Sequence, residues 1–188
     1  MGKFRRLFHV LLFVIKQHGD QKRKYTGQPY WYHLVEVAYL VYKTTKDEIS
    51  TVVALGHDLL EDVEDCNYLV LDRFFSKYYA PHEVKKIIKG IEHLTDEYIR
   101  ISYPEFNRKK RKSLEAERLG KTSAWVKTIK ISDLISNTKS IVKHDRDFAI
   151  VYLREKEELL NHLKDGDKKL WLKAISILDE SKKELNMK

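Results

Sequence analysis

Apolar residues recur at helical spacing along almost the whole chain. Apolar and polar residues do not alternate over a convincing strand, and only 3 prolines and 7 glycines interrupt the pattern in 188 residues. The pattern therefore predicts an all-α protein. The predicted helices cover residues 3–18, 31–44, 47–63, 67–78, 81–93, 112–119, 121–141, 145–164 and 167–184.

The predicted helix over residues 47–63 carries ionisable side chains within an apolar sequence. These side chains are His57, Asp58, Glu61 and Asp62. Burying an unpaired carboxylate or imidazolium costs several kcal/mol, and a bound cation is one of the few arrangements that offset this cost. In a continuous helix, His57 and Glu61 share one face, and the two aspartates share the adjacent face. We expect the first turn to hold a cation and the next turn to supply carboxylates for proton transfer.

Two further residues are candidate ligands. His33 lies at the start of a predicted helix, and Asp133 lies within an apolar one. Each residue alone is more typical of a hydrogen-bonded core position. Together with His57 and Asp58 they form a set of two histidines and two aspartates. Such a set suits manganese, iron, cobalt or magnesium rather than a structural zinc ion, and it leaves coordination positions for water and a substrate oxygen.

The formal charge of +8 indicates an anionic partner or substrate. The densest basic clusters lie at residues 22–24 and 108–112, while the other basic residues are interleaved with acids, as on ordinary solvated helix faces. A nucleic-acid surface and a site that grips several phosphates of a small molecule both explain the two clusters. The aperiodic segment of residues 95–110 is expected to form a mobile loop that covers a charged substrate.

Cysteine usage and the N-terminal residues narrow the class of protein. Cys66 is the only cysteine, which excludes an internal disulfide and a zinc–thiolate cluster and indicates a reducing cytoplasm. The apolar run from Phe4 to Ile15 follows basic residues, as in a signal peptide. It is too short to span a bilayer, however, and lacks a small-residue cleavage site. We interpret it as an amphipathic first helix and expect no membrane partner.

Three phrases of the sequence carry a family resemblance. They are RKYTGQPYWYH at residues 23–33, HDLLED at residues 57–62 and KISDLISNT at residues 130–138. Their order resembles the H…HD…D signature of HD-domain metal-dependent phosphohydrolases. More narrowly, the phrases resemble the hydrolase domain of RelA/SpoT-type enzymes and their small stand-alone relatives. The resemblance extends from about His9 to Lys143.

The resemblance implies a fold and an activity. The fold is a single HD-type domain over residues 1–188, an all-α bundle around a central metal, with a motif core at 9–143 and helices at 145–184 that complete the bundle. The activity is removal of the 3′-pyrophosphate of (p)ppGpp, giving GDP or GTP and pyrophosphate. Because no synthetase, TGS or ACT region is present, we expect a free-standing hydrolase.

Two other functions stay open at this point. One is the same metal chemistry on another nucleotide, such as a nucleoside mono- or triphosphate or the 2′-phosphate of NADPH. The other is a catalytically quiet module that binds a nucleotide or nucleic acid. The complete set of candidate metal and acidic residues favours an enzyme, so the expected partner is a nucleotide substrate rather than nucleic acid. A homo-oligomer is compatible with the sequence.

Residue by residue, the resemblance assigns metal ligands, a catalytic pair and substrate contacts. The metal ligands are His33, His57, Asp58 and Asp133, with Mn²⁺ the usual ion and Co²⁺, Fe²⁺, Ni²⁺ or Mg²⁺ as alternatives. The catalytic pair is Glu61 and Asp62. The substrate contacts are Arg23, Lys24, Asn137 and Ser140, to which the charge pattern adds Arg108 and Lys109. The sequence departs from the family pattern at Leu34 and Leu134, where proline and arginine are common.

Overall fold

The computed structural model describes residues 2–187, and its regular elements in that range are helical, as the sequence predicts. The chain divides into two units, one up to Thr95 and the other from Asp96. The helices of the first unit are α1 (Lys3–His18), α2 (Trp31–Thr45), α3 (Glu48–Gly56), α4 (Leu59–Asp62), α5 (Tyr68–Phe75) and α6 (Pro81–Leu94). The helices of the second unit are α7 (Arg108–Gly120), α8 (Ala124–His144), α9 (Arg146–His162) and α10 (Lys168–Glu184).

Helix α3 forms the centre of the first unit. It packs against α1, α2 and α6, and every residue from Ser50 to Gly56 is buried. The Asp47 carboxylate caps the helix by accepting a 2.7 Å hydrogen bond from the Ser50 N–H. A short helix that is buried on all sides has no solvated face to hold charged residues. The polar ligand residues accordingly follow the helix rather than lying within it.

The predicted continuous helix over residues 47–63 is wrong, because the chain breaks at His57 and Asp58. Asp58 has φ −97° and ψ 0°, which lies outside the α-helical region, and α4 begins immediately after it. Gly56 precedes the break and packs closely. A Cβ at this position would lie 3.2 Å from side-chain atoms of both Ile91 and Leu59. The shared helix faces that the sequence predicts for this segment therefore do not exist as such.

Helix α8 is the longest helix of the second unit, and it packs against α9 and α10. Most of its side chains are buried, including Ile129, Ile131 and Ile135. Fully burying an aliphatic side chain of this size contributes about 1.5–3 kcal/mol to folding. An α8 side chain that can bind a ligand is therefore held on a well-packed support.

The segment predicted to form a loop over residues 95–110 is shorter in the structure, since α7 begins at Arg108. The Glu115 carboxylate accepts hydrogen bonds of 3.1 and 3.2 Å from the N–H groups of Glu97 and Tyr98. The side chain of Asn107 caps α7 by accepting from the Lys110 N–H. The basic run at residues 108–112 thus forms the first turns of a helix, and the segment before it is fastened to that helix.

Candidate metal centre

Three side chains converge at the break between α3 and α4. One ligand atom from each of His33, His57 and Asp58 lies within 4.8 Å of the other two. Asp58 Oδ2 is 3.1 Å from His57 Nε2 and 3.8 Å from His33 Nε2. Both imidazoles are buried, whereas the Asp58 side chain retains 16% exposure. The structure therefore brings together three of the four predicted metal ligands, with one of them open to solvent.

A backbone carbonyl fixes the His57 ring. Nδ1 of His57 lies 2.9 Å from the Ala54 carbonyl oxygen, which can only accept a hydrogen bond. When the ring is neutral its proton is therefore on Nδ1, and its lone pair is on Nε2, the atom that lies 3.1 Å from Asp58 Oδ2. Metal-binding histidines are held in this way by a hydrogen bond from the second ring nitrogen.

Tyr30 supports the same cluster and was not predicted from the sequence. Its hydroxyl donates a 2.7 Å hydrogen bond to Asp58 Oδ2, and its ring lies edge-on to His33 with centroids 5.6 Å apart. Tyr30 ends the Gly-x-Pro-Tyr turn that precedes His33. The partner carboxylate is 28 residues away in the sequence, so local sequence patterns do not indicate this contact.

The donor set of this cluster fits a divalent cation. Two imidazole nitrogens and one carboxylate oxygen suit first-row divalent ions and also occur in catalytic zinc sites. Because the carboxylate is partly exposed, a bound ion would have coordination positions for water and a substrate oxygen. His33, His57 and Asp58 thus form a candidate site for a divalent metal whose identity the donor set leaves open.

The predicted catalytic pair lies in α4, directly after the cluster. Glu61 and Asp62 are both exposed, and their N–H groups donate to the Asp58 carbonyl oxygen at 3.2 and 2.8 Å. Asp62 Oδ2 also accepts a 3.0 Å hydrogen bond from Gln21 Nε2. The backbone N–H groups of both catalytic candidates are thus hydrogen-bonded to Asp58, a candidate metal ligand.

The predicted contacts Arg23 and Lys24 lie between α1 and α2, at the start of a turn in which the Gly27 N–H donates to the Arg23 carbonyl oxygen at 3.0 Å. The guanidinium of Arg23 lies 3.9 Å from Glu36 Oε2, and its side chain is 13% exposed. Lys24 Nζ lies 3.2 Å from the Tyr25 hydroxyl and over the Tyr25 ring. These two cations of the first unit therefore have neighbours that orient them.

The remaining predicted site residues belong to the second unit, and three of them lie on α8. Asp133 is buried, and its carboxylate accepts from Asn137 Nδ2 at 2.6 Å and lies 3.0 Å from Lys130 Nζ. The sequence predicts the first of these contacts, since residues four apart share a helix face. Ser140 Oγ is buried and lacks a hydrogen-bond partner among residues 2–187.

The basic residues at the start of α7 differ from each other. Arg108 donates to both carboxylate oxygens of Glu155, at 2.7 and 2.9 Å, and its guanidinium lies over the Phe148 ring. Lys109 is exposed. A bidentate pairing of this kind occupies the face of Arg108 that would grip a phosphate.

Comparison with known proteins identifies relatives for this chain. No protein-family model matches it. The chain is 30% identical over 135 residues to a guanosine-3′,5′-bis(diphosphate) 3′-pyrophosphohydrolase of Aquifex aeolicus, a match that covers 69% of this chain and 17% of the relative. It is 26% identical over 147 residues to a GTP pyrophosphokinase rsh of Brucella ovis, covering 74% of this chain and 18% of the relative. The resemblance to RelA/SpoT-type hydrolases is confirmed.

A solved structure supports the fold. It is described as a metazoan ortholog of SpoT that hydrolyses ppGpp and has a role in starvation responses. The two chains align with a TM-score of 0.78 and 21% identity over 96% of each. The predicted all-α, HD-domain type of fold is therefore confirmed. The chain spans less than a fifth of the length of the two curated relatives.

Between residues 2 and 187, no helix is both long enough and apolar enough to cross a bilayer.

Proposed function

We propose that this chain is a divalent-metal-dependent phosphohydrolase that removes the 3′-pyrophosphate of (p)ppGpp, giving GDP or GTP and pyrophosphate. The observation that carries the proposal is the convergence of His33, His57 and Asp58 within 4.8 Å, in a chain related to a guanosine bis(diphosphate) pyrophosphohydrolase. The structural likeness to a SpoT ortholog that hydrolyses ppGpp supports the same substrate.

The metal centre of the proposed enzyme uses His33, His57 and Asp58, with Asp133 as the fourth ligand. The assignment of Asp133 rests on the order of the sequence motifs and on its buried carboxylate. Mn²⁺ is the proposed ion, because the resemblance implies it and because it accepts mixed imidazole and carboxylate ligands. When bound, such an ion neutralises charge on phosphoryl oxygens and acidifies water.

Glu61 and Asp62 act on the attacking water. In this proposal their carboxylates orient the water and accept its proton as its oxygen attacks the 3′-linked phosphorus. The bond from this phosphorus to the ribose 3′ oxygen breaks, which releases pyrophosphate, and the 3′ oxygen leaves with a proton as the hydroxyl of GDP or GTP. General-base assistance of this kind typically contributes 10²–10⁴-fold to the rate. The exposure of both side chains is compatible with this role, since the water and the substrate must both reach them.

Arg23 and Lys24 bind phosphate or the nucleobase, and Asn137 and Ser140 contact the nucleotide. The unsatisfied hydroxyl of Ser140 supports its part, because a buried hydroxyl without a partner gains a hydrogen bond when a ligand supplies one. Lys109 attracts phosphate by its charge. Arg108 contributes to substrate binding only if its guanidinium contacts the substrate and Glu155 together.

The proposed enzyme is a cytoplasmic protein in which the whole of residues 1–188 serves one function. The single, buried Cys66 supports a reducing compartment. The likeness of one small SpoT ortholog over 96% of both chains supports a function that needs the full length of this chain. A nucleotide, rather than nucleic acid, is its substrate.

The proposal is tested by product release from a set of nucleotides. The purified, manganese-loaded protein is incubated with ppGpp, GTP, a nucleoside monophosphate and NADPH, with and without a chelator. We expect chelator-sensitive release of pyrophosphate and GDP from ppGpp, at a rate well above that of any other compound. Preferential turnover of another nucleotide would reject the substrate while keeping the metal site.

A second assay addresses the binding-module alternative. Affinity for long nucleic acid is measured across a range of salt concentrations, with and without the metal. Tight binding that falls steeply with salt and does not depend on metal, together with silence toward every nucleotide, would favour that alternative over the enzyme.

A further inference from the structure

A chain of hydrogen bonds connects the end of α1 to the exposed carboxylate of Asp62. Gln21 Nε2 donates to Asp62 Oδ2 at 3.0 Å, and Gln21 Oε1 lies 2.6 Å from Nδ1 of His18. His18 is 6% exposed. One end of the chain is therefore a buried imidazole and the other end is a solvated acid.

The chemistry of the three groups fixes the direction of these hydrogen bonds. An ionised carboxylate only accepts, so the Gln21 amide must present its NH₂ group to Asp62 and its carbonyl oxygen to His18. The carbonyl oxygen only accepts in turn, which places a proton on Nδ1 of His18. With its proton on Nδ1, the buried imidazole disfavours the flipped Gln21 amide, which would place two donors face to face.

The backbone around Gln21 restricts this side chain further. Helix α1 ends at His18 and is followed by Gly19, whose φ of +50° belongs to the left-handed region that glycine adopts readily. The Gln21 N–H then donates to the His18 carbonyl oxygen at 3.0 Å, and the Gln21 carbonyl oxygen accepts from the Tyr30 N–H at 2.9 Å. Hydrogen bonds to both its N–H group and its carbonyl oxygen therefore fix the backbone of Gln21.

His18 supports the metal cluster as well as Asp62. Its ring stacks on Tyr30, with centroids 5.1 Å apart and an interplanar angle of 27°. The Tyr30 hydroxyl donates to Asp58 Oδ2 at 2.7 Å. The buried His18 ring thus contacts both Tyr30 and Gln21. Tyr30 donates a hydrogen bond to the candidate ligand Asp58, and Gln21 donates one to Asp62 of the proposed catalytic pair.

From this geometry we infer that His18 and Gln21 are positioning residues that hold Asp62 in the orientation needed to accept a proton from the attacking water. The inference rests on the proposed function, since it assigns a purpose to the predicted catalytic role of Asp62. An exposed aspartate ordinarily samples several rotamers, and fixing one of them costs conformational entropy. Ordering the side chain before the reaction removes this entropic cost from the chemical step.

The first test replaces Gln21 with an isosteric side chain that cannot donate. In Gln21→Met, we expect kcat for ppGpp to fall about 5- to 30-fold, while KM and manganese affinity stay within about twofold of wild type. Gln17→Met, on the last turns of α1, is the matched control and should leave all three quantities unchanged. A Gln21→Met enzyme with wild-type kcat would overturn the inference.

A double-mutant cycle with Asp62 separates positioning from a general structural effect. If Gln21 acts through Asp62, Gln21→Met should change kcat less than about twofold in an Asp62→Ala background, because no carboxylate remains to be positioned. Full additivity of the two losses would place the effect of Gln21 elsewhere and contradict the inference.

A spectroscopic measurement tests the hydrogen-bond chain without an activity assay. In protein labelled with ¹⁵N-histidine, the neutral His18 ring should carry its proton on Nδ1, and Gln21→Met should shift the population toward Nε2. His18→Phe keeps a ring against Tyr30 but removes the donor, so we expect a smaller loss of kcat than in Gln21→Met. A proton on Nε2 in the wild-type protein would refute the proposed direction of the chain.

These measurements distinguish failure of the inference from failure of the proposed function. Wild-type protein that does not hydrolyse ppGpp would overturn the proposed function, and the positioning role would fall with it. Active wild-type protein whose kcat is insensitive to Gln21→Met would overturn the positioning role alone.

Discussion

The Tyr30 hydroxyl donates a 2.7 Å hydrogen bond to Asp58 Oδ2, the same oxygen that lies 3.1 Å from His57 Nε2. A donor at this distance limits rotation of the carboxylate. The contact links the Gly-x-Pro-Tyr turn to the histidine–aspartate pair. One sequence motif thus contributes to the cluster twice, through the candidate ligand His33 and through the hydroxyl that orients Asp58.

Removing this hydroxyl should weaken metal binding without unfolding the protein. We expect Tyr30→Phe to lower Mn²⁺ affinity about 10-fold or more, since groups that orient metal ligands typically contribute 10–100-fold. Isothermal titration of the apoprotein with Mn²⁺ measures the effect. Tyr32→Phe, which alters an exposed tyrosine of the same segment, serves as the control. Equal affinities in Tyr30→Phe and wild type would show that Asp58 does not need this donor.

Loss of Asp133, the proposed fourth ligand, should weaken metal binding. Asp133→Ala is expected to lower Mn²⁺ affinity and ppGpp hydrolysis together, because a three-ligand site holds the ion more weakly. Asp179→Ala removes an exposed carboxylate from α10 and controls for the change in net charge. Metal analysis after dialysis provides the readout. An Asp133→Ala protein that keeps both its manganese and its activity would remove Asp133 from the ligand set.

Replacing Glu61 should slow the chemical step without changing metal binding. We expect Glu61→Gln to reduce kcat by about 10²–10⁴-fold with little change in KM, as for the loss of a general base. Manganese content should stay at the wild-type level, in contrast to Asp58→Ala. Steady-state kinetics with ppGpp and metal analysis on the same preparation test both parts. Unchanged kcat in Glu61→Gln would reject the catalytic role assigned to this residue.

The buried lysine of α9 should make the stability of the protein depend on pH. Lys156 is 1% exposed, its Nζ lies 2.7 Å from Thr138 Oγ1, and burial lowers the pKa of its ammonium group to about 7. Between pH 7 and about 10.4, the pKa of an unfolded lysine, the unfolded state binds more protons than the folded state. The stability contributed by Lys156 therefore rises with pH across this window and is lowest below pH 7.

Replacing Lys156 with methionine should remove this dependence. We expect Lys156→Met to raise the free energy of unfolding by roughly 1–4 kcal/mol at pH 6, with the advantage shrinking as pH approaches 10. Lys164→Met, at an exposed position, should change stability by less than about 0.5 kcal/mol at either pH. Urea unfolding at several pH values measures both. A stability difference that is constant from pH 6 to 10 would show that Lys156 does not titrate in this range.

The sequence predicted those parts of the fold and site that depend on local pattern. The periodicity of α1 predicts its bounds, Lys3–His18, and the histidine–aspartate pair within an apolar segment indicates the ligand cluster. The break at Asp58 was missed, because the apolar periodicity continues through Leu59 and Leu60 and so predicts one helix. The close packing of Gly56 against Ile91 is a tertiary contact that periodicity does not report. Similarly, the first basic residues of the run at 108–112 fall within the predicted loop of residues 95–110. In the structure Asn107 caps a helix that begins with this run.

The supporting residues of the site were harder to predict from the sequence. His18 is a polar residue on the buried side of α1, a pattern already used to single out His57, but nothing in the sequence connects it to Asp62. Gln21 and Tyr30 act through hydrogen bonds between segments that are 41 and 28 residues apart. Such contacts follow from the tertiary fold, whereas periodicity reports only local structure.

The most direct test of the central claim is to identify the products of ppGpp by ³¹P NMR. Manganese-loaded wild-type protein should convert ppGpp to pyrophosphate and GDP in equal amounts, and Asp58→Ala should leave ppGpp intact under the same conditions. Release of orthophosphate in place of pyrophosphate, or equal turnover by the Asp58→Ala protein, would contradict the assignment of a 3′-pyrophosphohydrolase built on the cluster of His33, His57 and Asp58.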